Sequence, residues 1–222
     1  MADTIKIGNL DISAFKVGSS DCKIYLGDTL LYPQSSPTHS YTLLQGIERK
    51  ARYLGYIDLG VTVGTDFKIE ITHKYTKVAG GRFFGIDNTF RWFKANNNVY
   101  FDYNGSRIHR SAGNYYPTNS AYTVTLENYK MSSSLHTTST TGTRQASYTP
   151  SGNLCLFSNN ISSNGDFGVF YSVKVFTNNG KTLIGDFIPV KRNSDNLVTM
   201  FNTVTNTFCE AYGSLYPIEI SS

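Results

Sequence analysis

Val99-Tyr100-Phe101-Asp102-Tyr103 runs directly into Asn104-Gly105. Aromatic and β-branched residues pack well on a pleated strand, and Asn-Gly supplies the two positive-φ positions of a type I′ turn, so the stretch reads as one arm of a β-hairpin. Upstream, Phe67-Lys68-Ile69-Glu70-Ile71 is apolar at every second position, the period of a half-buried strand. Downstream, Tyr122-Thr123-Val124-Thr125-Leu126 and Val169 to Phe176 read the same way, and the second of these meets Asn179-Gly180 before Leu183 to Val190. From Tyr41 onward no convincing amphipathic helix interrupts the series. Many short strands separated by turns call for an all-β sandwich of two packed antiparallel sheets rather than a parallel α/β core. Ser132 to Ser147, dominated by Ser and Thr, reads as an exposed edge hairpin or a long loop.

A chain of 222 residues can bury one substantial core, or one sandwich with a small accessory unit. Only 16% of residues are charged while 14% are aromatic, with 19 Gly, a balance suited to short strands and tight turns. The net charge is +4, but Lys and Arg are dispersed, so no track for nucleic acid is evident and none is expected as a partner. Cys22, Cys155 and Cys209 are far apart and odd in number, which fits buried thiols better than a disulfide framework or a zinc ribbon. Met1 to Leu10 lacks the basic and apolar regions of a signal peptide, and no apolar stretch is long enough to span a bilayer. The expectation is a soluble protein made in a cytoplasm, without membrane insertion.

Before Tyr41 the pattern is thinner. Ile5-Lys6-Ile7 and Lys23-Ile24-Tyr25-Leu26 alternate, and Gly27-Asp28 forms a turn signal before Thr29-Leu30-Leu31-Tyr32, so a hairpin is expected there. So small a unit cannot bury enough surface to stand alone and needs a partner. Gln34 to Ser40 is polar and proline-punctuated, as linkers are. The expected division is an N-terminal segment over residues 1–33, a linker over 34–40 and the sandwich over 41–222.

Little in the sequence asks for catalysis. Glycoside hydrolysis needs two carboxylates flanking one bond, at about 5 Å in retaining enzymes. Glu70 stands alone in its strand, and Asp58, Asp66, Asp87 and Asp102 fall on separate turns or strands, as solvated or turn-capping acids do. His39, His73, His109 and His136 occur singly, without metal-ligand spacing, so no catalytic residue, metal or cofactor is expected. Asn159 to Asp166 offers oxygens that a calcium ion could use, although Asn and Asp also build turns for backbone reasons alone. For sugar binding the useful hardware is an aromatic ring with amide or carboxylate groups beside it. Phe90-Arg91-Trp92-Phe93-Lys94-Ala95-Asn96-Asn97-Asn98 carries both. If Phe93 and Phe101 face the core, alternation leaves Trp92 and Tyr100 outward. Trp92, Tyr100, Asn96, Asn97, Tyr115 and Tyr116 are therefore the candidate glycan contacts, against the alternative that such aromatics pack in a core or interface.

Several ordered motifs carry a family resemblance. Tyr41-Thr42-Leu43-Leu44-Gln45-Gly46-Ile47-Glu48, Tyr56-Ile57-Asp58-Leu59-Gly60-Val61, Phe83-Phe84-Gly85, Gly185 to Arg192 and Met200 to Phe208 follow one another along the chain. Together they resemble the concanavalin A-like (laminin G-like) jelly-roll domains of structural proteins in phages and prophages of gut bacteria. Lys23 to Pro33 separately resembles a short element recurring in tail, fibre and head-decoration proteins of crAss-like and related tailed phages. The resemblance implies a jelly-roll sandwich, a place in the virion after synthesis in the host bacterial cytoplasm, and glycan binding as a common task. It implies a structural or adhesion protein of the fibre, tail or head decoration, whose sandwich binds a host-surface glycan or mucus. The competing expectation is a purely architectural decoration protein that packs only against other virion subunits. Ile24, Tyr25, Leu26, Leu30, Leu31 and Tyr32 would dock the chain to other virion proteins. A homo-oligomer is expected, a trimer first, as is common in fibres.

Overall fold

The computed structural model describes residues 5–7, 10–12, 24–26, 29–32, 40–50, 55–76, 81–95, 98–111, 119–149, 152–158 and 168–221. The chain divides into two compact units, Met1–Ser40 and Tyr41–Ser222. In the first, β1 (Ile5–Ile7) pairs antiparallel with β2 (Leu10–Ile12), and β3 (Ile24–Leu26) with β4 (Thr29–Tyr32). The hairpin expected from Ile24 to Tyr32 forms, with Ile24 opposite Tyr32 and Leu26 opposite Thr29. The side chains of Ile24, Tyr25, Leu26, Leu30, Leu31 and Tyr32 lie outside the description, as do all the linker residues except Ser40.

The described residues of Tyr41–Ser222 form strands joined by turns and loops, without a helix. In chain order these are β5 (Tyr41–Leu43), β6 (Gly46–Arg49), β7 (Gly55–Asp58), β8 (Lys68–Tyr75), β9 (Gly81–Gly85), β10 (Phe90–Ala95), β11 (Asn98–Tyr103), β12 (Ser106–Ser111) and β13 (Ala121–Glu127). There follow β14 (Lys130–Ser133), β15 (His136–Thr141), β16 (Cys155–Leu156), β17 (Gly168–Thr177), β18 (Thr182–Arg192), β19 (Val198–Asn202), β20 (Thr207–Phe208), β21 (Glu210–Gly213) and β22 (Tyr216–Ile218). One sheet has seven strands in the order β12-β11-β10-β9-β16-β7-β21. The other has 11, along the path β15-β14-β13-β8-β17-β18-β19-β20 with β5, β6 and β22 paired beside it. The two antiparallel sheets pack as a jelly-roll-like sandwich.

Period-two patterning explains the packing. In β8, Ile69, Ile71, His73 and Tyr75 point inward while Lys68, Glu70, Thr72 and Lys74 alternate with them. Ile57, Phe84, Phe90, Trp92 and Phe101 of the seven-stranded sheet share one core with Ile69, Ile71, Val124, Leu126, Val173 and Phe187 of the other. Each such burial contributes about 1.5–3 kcal/mol, which makes this apolar interior the main stabilising feature of the unit. Asn104 and Gly105 have φ of 45° and 85° and connect Tyr103 to its partner Ser106, the type I′ hairpin expected from Asn-Gly. The Ser/Thr-rich stretch forms a hairpin as far as Thr141, with β15 the outermost strand of its sheet.

Candidate functional site

The strands β10, β11 and β12 form a meander at one end of the seven-stranded sheet. Its pairings put Trp92, Phe101 and Ile108 in one cross-strand row, and all are buried in the core. The flanking rows must face the other way. One outward row is Phe93, Tyr100 and His109; the next is Arg91, Asp102 and Arg107.

This register corrects the expected orientation of Trp92. Ala95 pairs with Asn98 across a two-residue connection, so Phe93 falls opposite Tyr100 and Trp92 opposite Phe101. Phe93 and Phe101 therefore cannot share a face. Trp92 is 0% exposed, its ring 4.7 Å from those of His73 and Phe83, and it cannot touch a glycan. Tyr100 does lie on the outer face, half-buried. Asn96, Asn97, Tyr115 and Tyr116 lie outside the described residues, as does the Asn159 to Asp166 stretch.

The two outward rows form one connected cluster. Phe93 and Tyr100 stack with ring centroids 5.1 Å apart at 15°, and His109 stands 5.8 Å from Tyr100, so each of the first two rings spends one face on the other. Asn98 Nδ2 donates to Tyr100 Oη at 3.2 Å. In the adjoining row, Asp102 Oδ2 accepts from Arg91 Nε and Nη2, both at 2.9 Å. Arg107 Nε donates to Oδ1 at 2.6 Å and its Nη2 to Oδ2 at 2.9 Å. The same guanidinium groups lean on the rings, Arg91 Cζ 4.6 Å from the centre of Phe93 and Arg107 Cζ 5.3 Å from that of Tyr100. Cation–π contact and ion pair thus fix each arginine from two sides. The hydrogen bond that Arg107 donates to Asp102 raises the pKa of the guanidinium. Arg91, Asp102 and Arg107, with Asn88, Thr89, Gly105 and Ser106, line an open depression of about 440 Å³.

The remaining acids do the turn and surface work expected of them. Asp58 Oδ1 accepts from Gly60 N at 2.8 Å, and Asp66 accepts from Asn178 N at 2.6 Å. Asp87 Oδ1 caps the turn into β10 by accepting from the backbone of Thr89 and Phe90. Lys68 pairs with Glu70 at 2.6 Å. Among the described residues no three His, Cys, Asp or Glu side chains gather as a metal site would require. Cys155 and Cys209 are buried thiols, and burial pushes the Cys209 pKa up to about 12. Cys22 is not among the described residues.

A second outward feature escaped the sequence reading. At the opposite end of the same sheet, Tyr56 of β7 stacks on Tyr212 of β21 at 4.6 Å and 20°, beside the cross-strand acid pair Asp58 and Glu210. Tyr212 Oη donates to Glu210, and that bond raises the pKa of the phenol to about 12. The outer face is therefore polar in charge, acidic at the β7–β21 end and basic at the β10–β12 end. No protein-family model matches the chain, and no curated protein matches it.

Proposed function

We propose that the chain is a virion structural or adhesion protein whose sandwich binds a host-surface glycan or mucus through the outer face of β10–β12. The observation that carries the reading is the Phe93–Tyr100 stack abutting the Arg91–Asp102–Arg107 clamp. Rigid aromatic edges beside fixed hydrogen-bond donors suit the mixed apolar and hydroxylated surface of a sugar ring. The role is binding rather than catalysis: both Asp102 oxygens are engaged by arginines, which is the wiring of a clamp and not of a proton donor facing a second acid. The virion address rests on the resemblance of Lys23 to Pro33, and the β3–β4 hairpin there is the piece that would dock onto other subunits.

The test is retention of the labelled full chain on a glycan array, compared with Tyr100→Ala. Binding that Tyr100→Ala abolishes while leaving the melting transition in place supports the reading. A chain that retains no glycan favours the architectural alternative, in which the sandwich packs only against virion neighbours.

A further inference from the structure

Building on that glycan reading, we infer that the β10–β12 face selects an anionic saccharide, one presenting the carboxylate of a uronic- or sialic-acid class sugar to Arg91 and Arg107. The charge balance points this way first. Two guanidinium groups and a single carboxylate line the depression, so it carries an excess of positive charge before any ligand arrives. Arg82, opposite Phe93 on the same outward face, adds to it, and burial together with the charge of Arg91 holds its pKa below the usual arginine range. Asp87, at the turn beside Asn88 and Thr89, offsets one of these charges, so Arg82, Arg91 and Arg107 against Asp87 and Asp102 leave the excess positive, while Asp58 and Glu210 lie opposite each other at the far end of the sheet, across β16 and β9.

The clamp also shows what it accepts. Asp102 is 7% exposed and held in place by both arginines through their Nε and Nη2 atoms. The Nη1 groups of Arg91 and Arg107 donate to nothing among the described residues, so donors remain for a second carboxylate. Arg107 turns the larger share outward, its side chain 53% exposed against 22% for Arg91. The planar guanidinium fork matches a planar carboxylate in two parallel bonds. Because Phe93, Tyr100 and Asp102 already hold both forks, a ligand meets donors whose ordering cost is largely met within the fold. The interaction is partly solvated, so salt weakens it.

Isothermal titration of the full chain with matched pairs tests this: oligogalacturonate against its methyl ester, and sialyllactose against lactose. At least one acid should bind about tenfold or more tighter than its neutral counterpart, with affinity falling as salt rises. Arg107→Gln should erase the preference in a chain that still melts cooperatively, at a lowered temperature because Asp102 loses one partner, and Arg107→Lys, which keeps the charge but not the fork, should restore only part of it. Should Arg107→Gln fail to fold, the Arg107→Lys comparison decides alone. Equal binding of acid and neutral partners overturns the anionic selection and leaves the glycan reading standing. Absence of binding to either member of both pairs also overturns the anionic selection, and the glycan array with Tyr100→Ala then decides the glycan reading separately. Acid binding that survives Arg107→Gln in a folded chain places the ligand elsewhere and also overturns the proposal.

Discussion

Lowering the pH should weaken this sandwich through one buried histidine. His73 sits on the inner face of β8, ringed by Tyr122 at 4.3 Å, Trp92 at 4.7 Å, Phe83 at 5.7 Å and Phe170 at 6.1 Å. The Tyr122 hydroxyl is the one other titratable group among these contacts, and His73 Nε2 has no hydrogen-bond partner among the described residues. Desolvation therefore pushes the imidazole pKa from 6.5 down to about 3. Between those values the unfolded chain holds a proton on His73 that the folded chain does not. Stability is fully present above pH 6.5 and falls as the pH drops toward 3. At about 1.4 kcal/mol per pH unit, acidification from 6.5 to 5 costs about 2 kcal/mol, a large share of a typical domain's 5–15 kcal/mol. Urea unfolding followed by the fluorescence of the single tryptophan, buried Trp92, measures it at pH 7.5 and pH 5. His73→Leu, similar in volume and unable to titrate, should remove about 2 kcal/mol of the acid-induced loss while other groups titrate as before. If the variant and the parent lose the same stability, the neutral buried histidine is not the cause and the reasoning fails.

Other expectations follow from burial and backbone geometry. Trp92→Ala should cost about 3–5 kcal/mol by opening a core cavity, whereas Tyr100→Ala should cost under about 1 kcal/mol; equal losses in denaturant titrations would mean the register places them on the same face. Gly105, at φ 85° with open space around it, should lose about 1 kcal/mol on Gly105→Ala from backbone strain alone, visible as a lowered urea midpoint at unchanged slope. Deleting Met1 to Pro33 should leave one cooperative calorimetric melt, because Tyr41–Ser222 is a compact unit with its own core; a broad or missing transition would show that the sandwich needs the N-terminal segment.

The fold was legible because its signals are local. Alternation in Lys68 to Tyr75 and the Asn104-Gly105 turn each report on neighbours within a few residues. The same turn makes the Asp102–Arg107 pairing readable, since a two-residue connection between Tyr103 and Ser106 dictates every opposite pair beyond it. Trp92 was misplaced because its orientation hung on the β10–β11 register, and treating Phe93 and Phe101 as neighbours on one face broke the parity that an antiparallel pair imposes. Arg91 as the second half of the clamp was missed for the same reason. The Tyr56–Tyr212 stack had no local signal at all, because β7 and β21 meet only through tertiary packing. His73 has no metal-ligand spacing to single it out among the four histidines, but alternation in β8 places it inward with Ile69 and Ile71.

The central claim is that the outer face of β10–β12 is where a glycan docks. The most direct measurement is amide chemical-shift mapping of the isotope-labelled full chain, titrated to saturation with the saccharide it binds best. The account predicts shifts concentrated at Arg91, Phe93, Tyr100, Arg107 and His109, with the β13–β15 edge and the inner strands of the 11-stranded sheet unchanged. Saturable shifts centred on any other surface, or no shifts at millimolar saccharide, would contradict it.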